Sequence, residues 1–422
     1  MAVTEAIRPR LATRLRTGSA LLGPAFVAAI AYVDPGNVAS NISAGARYGY
    51  LLVWVIVAAN LMAVLVQYLS AKLGLVSGMS LPEALRARLS RPARLAYWLQ
   101  AEVVAIATDL AEVVGGAIAL YLLFDLPLVV GGLVTGAVSL TLLAVQDRGG
   151  QRTFERVVTG LLAVIAVGFL ASLFVEPPSA PAVLGGLLPK FDGAGSVLIA
   201  AAMLGATVMP HAVYLHSGLV RDRHGRPDAP DGTDGPDGTR RRRLLRATRA
   251  DVGLAMLLAG AVNLGMLLLA ATNLQGQAGV DSIEGAHTAV GLALGPGIAL
   301  LFAIGLLASG LASTSVGAYA GAMIMQGLLH KRIPLVTRRL VTLVPAIVVL
   351  ALGADPSAAL VVSQVVLSFG IPFALVPLIR LTADRDLMGA DANHRLTTVA
   401  ASVIAAIIIA LNLVLVYLTV TG

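Results

Sequence analysis

Long apolar runs separated by short polar segments occupy almost the whole chain. A helix needs about 20 predominantly apolar residues to cross a bilayer, so runs of that length are interpreted as membrane spans. Eleven are predicted, at 20–46, 51–74, 95–123, 126–146, 154–175, 195–219, 250–272, 297–326, 334–353, 357–379 and 397–420. The first and sixth are interrupted by turn residues near their middle. The pattern predicts an all-α integral membrane protein with two broken spans.

The Lys and Arg residues indicate how the spans cross the membrane. With the N-terminus inside, all 30 Lys and Arg residues except Arg47 and Lys190 fall on inner segments or inner halves of spans. Basic residues concentrate on the cytoplasmic side of membrane proteins. We therefore predict a cytoplasmic N-terminus and, with an odd number of spans, a C-terminus outside. The net charge of +7 then reflects topology, and nucleic acid is not an expected partner.

Composition agrees with a membrane protein and limits its chemistry. The 422 residues are 57% hydrophobic and 13% charged, with a mean hydropathy of +0.86. Cysteine is absent, which excludes a disulfide framework, a thiolate metal site and a Cys nucleophile. We expect a single transmembrane domain whose surroundings are the lipid bilayer, with no obligate protein partner. The Arg-rich, Lys-poor composition is typical of a bacterial protein, which would place it in the cytoplasmic membrane.

Two segments allow a second interpretation. The N-terminal arginines and the apolar run at 21–33 resemble a secretory signal peptide, but its removal would leave an even number of spans and a different charge pattern. Residues 221–247, between spans six and seven, are predicted to be a disordered cytoplasmic loop because they are rich in Asp, Gly and Pro. Arg240 to Arg243 in this loop fit a positive-inside segment, with contact to anionic lipid headgroups as the alternative.

The two interrupted spans share one arrangement. Span one contains AIAYVDPGNVAS and span six contains LGATVMPHAVYLHS, each with a proline near its middle. Aligning Pro35 with Pro210 pairs Asp34 with Met209. The two spans also open two consecutive sets of five, at about 20–175 and 195–380, which leaves 397–420 as an extra helix. Matching interruptions in two halves point to an inverted-repeat transporter with its substrate site at the membrane midplane.

The interruptions supply ligands for a cation. Because proline has no N–H, the carbonyls of Ala31 and Ala206, one turn before each proline, lose their helical donors. The side chains of Asp34, Asn37 and Met209 add a carboxylate, an amide oxygen and a thioether. Mg²⁺ and Ca²⁺ take oxygen ligands, whereas a thioether favours a softer transition-metal ion. We therefore predict a site for Mn²⁺ or Fe²⁺, bound as substrate and not as a permanent cofactor.

Span three carries three carboxylic acids on one face. Glu102, Asp109 and Glu112 lie at offsets of 0, 7 and 10 residues, within an arc of roughly 80° around a helix. Ionisable groups at membrane depth are costly and are functional by default, so a proton relay beside the metal site is predicted. The alternative, which is compatible with a relay, is ion pairing with Arg338 or Arg339 near the start of span nine.

Other polar side chains within spans are few. His211 and His216 are five residues apart, about 140° around a helix, so they cannot form an i, i+4 metal pair. His211 is interpreted as a proton carrier or a neighbour of the metal ligands, and His216 as a proton carrier or a hydrogen-bonded structural residue. Asn263 and Gln364 either hydrogen-bond between helices or contact the metal part of the time.

These motifs resemble a known family. GPAFVAAIAYVDPGN followed by GYLLVWVIVAAN, TDLAEVVG in span three, ATVMPHAVYLHSGLV in span six and GAYAGAMIMQGLL in span eight closely resemble the Nramp family of proton-coupled manganese and iron transporters. The resemblance covers most of spans one to ten, and DPGN paired with MPH is highly specific. It implies a LeuT-type fold of 11 transmembrane helices, with two inverted five-helix repeats in which helices 1 and 6 are unwound.

The resemblance also assigns roles to residues. It implies metal ligation by Asp34, Asn37, Met209, Ala31 and Ala206, with Gln364 joining in some states. It implies a proton pathway through Asp34, His211, Asp109, Glu112 and Arg339.

The predicted function is import of Mn²⁺, and of Fe²⁺ as well, by alternating access with proton symport and without enzymatic activity. A Na⁺-coupled symporter for amino acids or other organic solutes on the same fold is the alternative, although Asp34 would repel a carboxylate. An intramembrane enzyme using Asp34 with Asp109 is a second alternative, but such an enzyme needs two facing acids that share a proton.

Overall fold

A computed structural model describes residues 23–225, 239–277, 279–280, 282–331 and 333–421. Within these ranges the chain forms helices and no β-strand, so the all-α class is confirmed. The first half contains α1 (Pro24–Ile30), α2 (Pro35–Tyr48), α3 (Val53–Ser77), α4 (Leu81–Arg86), α5 (Arg91–Phe124), α6 (Leu128–Gly149), α7 (Gln151–Leu170), α8 (Ser172–Val175) and α9 (Ala180–Gly185).

The second half repeats the broken arrangement and adds one helix. It contains α10 (Gly193–Thr207), α11 (Pro210–His224), α12 (Thr239–Asn273), α13 (Ile283–Leu294), α14 (Pro296–Leu329), α15 (Leu335–Ala351), α16 (Pro356–Ala383), α17 (Arg385–Met388) and α18 (Arg395–Thr421), with a 3₁₀ turn at Gly389–Asp391. Predicted spans one and six are the pairs α1 with α2 and α10 with α11, and each second half-helix begins at a proline.

Length and composition agree with the predicted spans. In the part of the chain that the structure describes, nine helices are long and apolar enough to cross a membrane, with α10 and α11 counted as one. Predicted span one falls outside this count because it is divided into helices of 7 and 14 residues. Predicted span nine falls outside it because α15 has 17 residues.

The loop predicted at 221–247 is shorter than expected. Helix α11 continues to His224, and α12 begins at Thr239 and includes Arg240 to Arg243. Arginine is a good helix former, so the basic ends of this segment extend the flanking helices. Arg241 forms an ion pair with Asp391, with 2.9 Å between Nε and Oδ2. Residues 226–238, the centre of the predicted loop, lie outside the described residues.

Helix α5 lies at the centre of the bundle. It packs against α14, α16, α6 and α15, and its apolar window is more buried than that of any other long helix described. Glycines allow its closest approach, since a Cβ on Gly310 of α14 would lie 2.9 Å from the Cα of Gly116 on α5. Helix α18 lies at the edge, packed on α16 and α10. The broken helices are thus enclosed by intact ones.

Candidate functional site: the two helix breaks

The first break lies between α1 and α2. Asp34 has an extended conformation and caps α2, accepting hydrogen bonds at Oδ1 from the backbone N–H (2.9 Å) and the side-chain Nδ2 (2.6 Å) of Asn37. Pro35 occupies the first helical position, where its lack of an N–H costs nothing. Aspartate is a preferred N-cap residue. The DPGN sequence therefore restarts the helix and buries a capped carboxylate at the break.

Two later helices hold the unwound backbone of this break. Asn263 on α12 donates from Nδ2 to the carbonyl of Tyr32 at 2.7 Å. Ser309 on α14 donates from Oγ to the carbonyl of Val33 at 2.6 Å. Backbone groups freed at membrane depth need partners inside the protein. The amide of Asn263 is thus used between helices, as the first of its two interpretations proposed, and its Oδ1 accepts from Asn41 at 2.8 Å.

The second break lies between α10 and α11 and contacts the first. Helix α10 ends at Thr207, and α11 begins at Pro210 with the fully buried Met209 as its N-cap residue. Asn37 donates from Nδ2 to the carbonyl of Ala206 at 2.9 Å. One amide group of Asn37 therefore contacts both the Asp34 carboxylate and the second break. This hydrogen bond joins the two breaks that the alignment of the prolines paired.

Gln364 of α16 reaches the same place. A Cβ on Gly36 would overlap the Gln364 amide and would lie 3.2 Å from Oδ2 of Asp34. The absence of a side chain at Gly36 therefore allows Gln364 to approach the carboxylate. The predicted residues Asp34, Asn37, Ala206 and Gln364 are brought together, and Ala31 lies on the unwound turn one residue after α1.

Several buried polar atoms of this cluster have no hydrogen-bond partner. They are Oδ1 of Asn37 and both amide atoms of Gln364. Buried polar groups in proteins are almost always paired, so these three atoms are free to bind a further group such as a water or an ion. Over the described ranges, no three His, Cys, Asp or Glu residues form a metal cluster. A cation here would depend on one carboxylate with amide, carbonyl and thioether ligands.

Glycines let neighbouring helices clamp both breaks. A Cβ on Gly115 of α5 would overlap the ring of Pro35. A Cβ on Gly370 of α16 would lie 2.7 Å from Val104 and 3.1 Å from the ring of Pro210. Sequence reasoning missed these two glycines and Ser309. The only signal in the sequence was a small residue within an otherwise apolar span, which many helix contacts share.

Two of the three carboxylates of α5 form the predicted ion pairs with α15. Glu102 pairs with Arg338 (Oε2 to Nη1, 2.9 Å), and Asp109 pairs with Arg339 (Oδ1 to Nη1, 2.5 Å). The fully buried Arg339 also donates from Nε to Oγ of Ser139 at 2.7 Å and from Nη2 to Oγ1 of Thr314 at 2.7 Å. The ion pairs proposed as the alternative to a proton relay are therefore present. Because ion pairing is compatible with a relay, the relay stays a prediction.

Glu112 and His211 differ from these paired groups. Neither carboxylate oxygen of Glu112 and neither ring nitrogen of His211 has a hydrogen-bond partner among the described residues, although both side chains are buried. Gly317 on α14 faces Glu112, since a Cβ there would lie 3.0 Å from Oε2. Glu112 and His211 are thus the members of the predicted pathway whose side chains have no hydrogen-bond partner among the described residues.

His216 belongs to a separate hydrogen-bonded chain. Its Nδ1 lies 2.7 Å from Oε1 of Gln67, and Nε2 of Gln67 donates to the hydroxyl of Tyr32 at 2.7 Å. This contact matches the interpretation of His216 as a hydrogen-bonded structural residue. It also ties α11 to the first break through α3.

A cavity of about 240 Å³ reaches the site. It lies between α2, α10 and α16, and Gly36 and Gln364 form part of its wall. Ser282 and Ile283, before and at the start of α13, line it as well. The cavity thus leads from the loop that precedes α13 to the cluster around Asp34.

A sequence profile of the family described as "Natural resistance-associated macrophage protein-like" (Nramp) matches residues 25–418. The chain belongs to the Nramp family. A curated relative, "Divalent metal cation transporter MntH" of Mycobacterium tuberculosis (strain CDC 1551 / Oshkosh), is 66% identical over 410 residues, which are 97% of this chain and 94% of the relative. Such relatives are transporters, so the prediction of a transporter and not an enzyme is confirmed.

Solved Nramp-like structures confirm the fold. The chain is similar to the Eremococcus coleocola manganese transporter, with a TM-score of 0.85 and 32% identity over 95% of this chain and 87% of that one. A nucleobase-cation-symport-1 family transporter, Mhp1, has a TM-score of 0.59 at 14% identity and covers 94% of this chain and 91% of its own, which shows the fold alone. The LeuT-type fold expected from the resemblance is confirmed.

Proposed function

We propose that the chain imports divalent transition-metal ions, Mn²⁺ and also Fe²⁺, by proton symport. One observation carries the proposal, namely that the Asn37 amide joins the Asp34 carboxylate to the Ala206 carbonyl across the two breaks. This places a negative charge and a carbonyl with no helical donor at one buried point. The relatives include a divalent metal cation transporter and a manganese transporter, which supports a metal ion as the substrate.

The Asn37 amide occupies the place that a cation would take. Its Nδ2 donates to two acceptors, Oδ1 of Asp34 and the carbonyl of Ala206, while its own Oδ1 is unpaired. A divalent ion between those acceptors would displace the N–H groups. Rotation of the amide would then turn Oδ1 towards the ion. Asn37 thus keeps the site hydrogen-bonded without metal and becomes a ligand with it.

The remaining ligands follow from the breaks. The Ala31 carbonyl, four residues before Pro35, has no helical donor, and Met209 supplies a thioether at the corresponding break. Sulfur selects softer ions over Ca²⁺ and Mg²⁺. Gln364 supplies a further oxygen from α16 as the cavity closes.

Proton movement uses Asp34 and His211 together with the carboxylates of α5. Asp34 accepts a proton at the site, and His211, Glu112 and Asp109 carry it on, with Arg339 holding Asp109 in place. Glu102, paired with Arg338 of α15, continues the same face of α5 towards its beginning. The potential, negative inside, favours inward movement by roughly 2.3 kcal/mol per charge per 100 mV, and about twice that for a divalent ion.

The same reasoning gives the location. We infer a multi-pass protein of the bacterial cytoplasmic membrane, with the N-terminus inside and the C-terminus outside. The asymmetric placement of Lys and Arg supports this orientation. The bacterial source of the relatives supports the assignment to a bacterial cytoplasmic membrane.

Uptake by purified protein in liposomes tests the proposal. With an inward proton gradient and a negative interior, Mn²⁺ should accumulate and the lumen should acidify in step with it. Fe²⁺ should compete with Mn²⁺, whereas equal concentrations of Mg²⁺ and Ca²⁺ should compete poorly. Absence of Mn²⁺ uptake would refute metal transport, and uptake without acidification would refute proton symport alone.

A further inference from the structure

Helix α18, which lies outside the two predicted repeats, carries a buried amide. Asn412 is 4% exposed. Neither its Oδ1 nor its Nδ2 has a hydrogen-bond partner in the described part of the chain. An unpaired amide at membrane depth is costly, because the bilayer core offers no replacement partner. Such a group indicates a bond that forms in another state of the protein.

The group next to Asn412 is the main chain of α10. A Cβ on Gly205 would lie 2.9 Å from Oδ1 of Asn412 and 3.3 Å from Oγ of Ser368. The glycine therefore lets the amide contact the backbone directly. Gly205 precedes Ala206, whose carbonyl faces Asn37. Asn412 thus lies against the turn of α10 that carries a proposed metal ligand.

This turn contains backbone acceptors beyond the helical ladder. The last such bond of α10 runs from the N–H of Val208 to the carbonyl of Leu204 at 3.2 Å. The carbonyls that follow, from Gly205 onwards, lie at the helix end, where acceptors need partners from outside the helix. Nδ2 of Asn37 donates a hydrogen bond to the carbonyl of Ala206. Oδ1 of the Asn412 amide faces Gly205, so rotation of this amide would turn Nδ2 towards the Gly205 carbonyl.

The contact lies one turn deeper than the wall of the 240 Å³ cavity. Ala202, Gln364 and Leu415 line that cavity. One helical turn along the same three helices are Gly205, Ser368 and Asn412, which share their faces because they are three or four residues away. Ser368 donates from Oγ to the carbonyl of Gln364 at 2.9 Å. A change in the width of the cavity would therefore act on the same three helices that hold Asn412 against Gly205.

We propose that Asn412 is a positioning residue for the transported metal ion. When the ion binds, Nδ2 of Asn412 donates to the carbonyl of Gly205 and so holds the adjacent Ala206 carbonyl in its coordinating orientation. Asn412 does not touch the ion. The inference rests on the proposed metal transport, and it gives the helix outside the repeats a part in substrate binding.

Replacement by an apolar residue of similar size tests the role. In Asn412→Leu, the KM for Mn²⁺ uptake should rise about fivefold, the effect of losing one hydrogen bond. Vmax per purified transporter should stay within about twofold. Mn²⁺ binding measured by calorimetry in detergent should weaken by the same factor as KM. A purely structural role would instead lower Vmax or the folded fraction and leave KM unchanged, which would overturn the proposal.

A matched control and a double variant sharpen the test. Leu413 is 63% exposed on the adjacent position of α18, and Leu413→Ala should leave KM unchanged. Gly205→Ala places a methyl group against Oδ1 of Asn412 and should raise KM. The same change should have little further effect in an Asn412→Ala background, where the methyl group has room. An equal rise in both backgrounds contradicts the inference.

The proposed function and this inference fail in different ways. If wild-type protein neither binds nor transports Mn²⁺, metal transport itself is refuted. If wild-type protein transports Mn²⁺ and Asn412→Leu has the wild-type KM, only the role of Asn412 is refuted.

Discussion

A single residue, Asp34, combines a structural role with the charge of the candidate site. Its Oδ1 caps α2 through the backbone N–H of Asn37, and the same carboxylate is buried beside Gly36 and Gln364. Asparagine caps helices as well as aspartate does. Charge and cap can therefore be separated by one substitution. This makes Asp34 a direct test of whether the break exists for a cation.

Asp34→Asn should abolish Mn²⁺ uptake while preserving the fold. The amide keeps an oxygen for the N-cap but removes the negative charge that a divalent ion requires. The measurement is Mn²⁺ uptake into liposomes, together with the thermal unfolding midpoint in detergent, which should stay close to that of the wild type. Robust uptake by this variant would remove Asp34 from the site.

Met209→Ala should change selectivity more than folding. Without the thioether, the site retains oxygen ligands, which suit Ca²⁺ and Mg²⁺. Competition by these ions against Mn²⁺ uptake should increase by about tenfold, the equivalent of roughly 1.4 kcal/mol. Met256 is an equally buried methionine of α12, and Met256→Ala should keep the wild-type selectivity. Identical competition curves for both variants would exclude sulfur ligation.

At the scale of elements, the first break is stabilised by contacts with helices that follow it in the chain. The carbonyls of Tyr32 and Val33 accept hydrogen bonds from Asn263 and Ser309, respectively. The ring of Pro35 packs against Gly115 of α5. Proline and glycine explain why the helix breaks. The surrounding helices determine the shape that the broken segment takes.

Gly115→Ala should reduce Mn²⁺ uptake at least about fivefold, because its methyl group overlaps Pro35 and displaces the first break. Gly160→Ala in α7 is the matched control, since a Cβ there meets nothing within 4 Å. Alanine favours helix over glycine by about 1 kcal/mol, so both changes help the helix itself. Uptake rates normalised to purified protein compare them. Equal rates would show that the Gly115 contact is not needed.

For the whole molecule, the proposed orientation follows from charge. Most Lys and Arg residues lie on segments assigned to one side, and this asymmetry determines the orientation of membrane proteins. The chain has no cysteine. A single introduced cysteine can therefore report the side on which its segment lies.

Ser179→Cys, between α8 and α9, should react with a membrane-impermeant maleimide in intact cells. Ser90→Cys, just before α5, should react only after the membrane is opened. Both serines are exposed, so the difference reports sidedness and not burial. The reverse labelling pattern would invert the proposed topology.

Sequence patterns predicted many residues of the candidate site but not the hydrogen bonds between them. The DPGN and MPH motifs indicated Asp34 and Met209 because charge and proline are unusual inside a span. Sequence leaves two roles open for His216, and its contact with Gln67 matches the structural one. The predicted bounds of the loop, 221 and 247, were wrong, because the flanking helices extend to His224 and from Thr239. Where a helix ends depends on the helices packed around it as well as on local composition. Predicted ligand and proton roles stay predictions.

Local sequence specifies the spans, the two breaks and the family resemblance, because hydropathy, proline and glycine act over a few residues. The partners that complete the breaks come from the packing of distant helices. Asn37 and Ala206 are 169 positions apart, and Tyr32 and Asn263 are 231 apart. Their hydrogen bonds depend on how the helices pack, which one span's pattern does not encode. The same packing places Asn412, on a helix outside the repeats, beside Gly205.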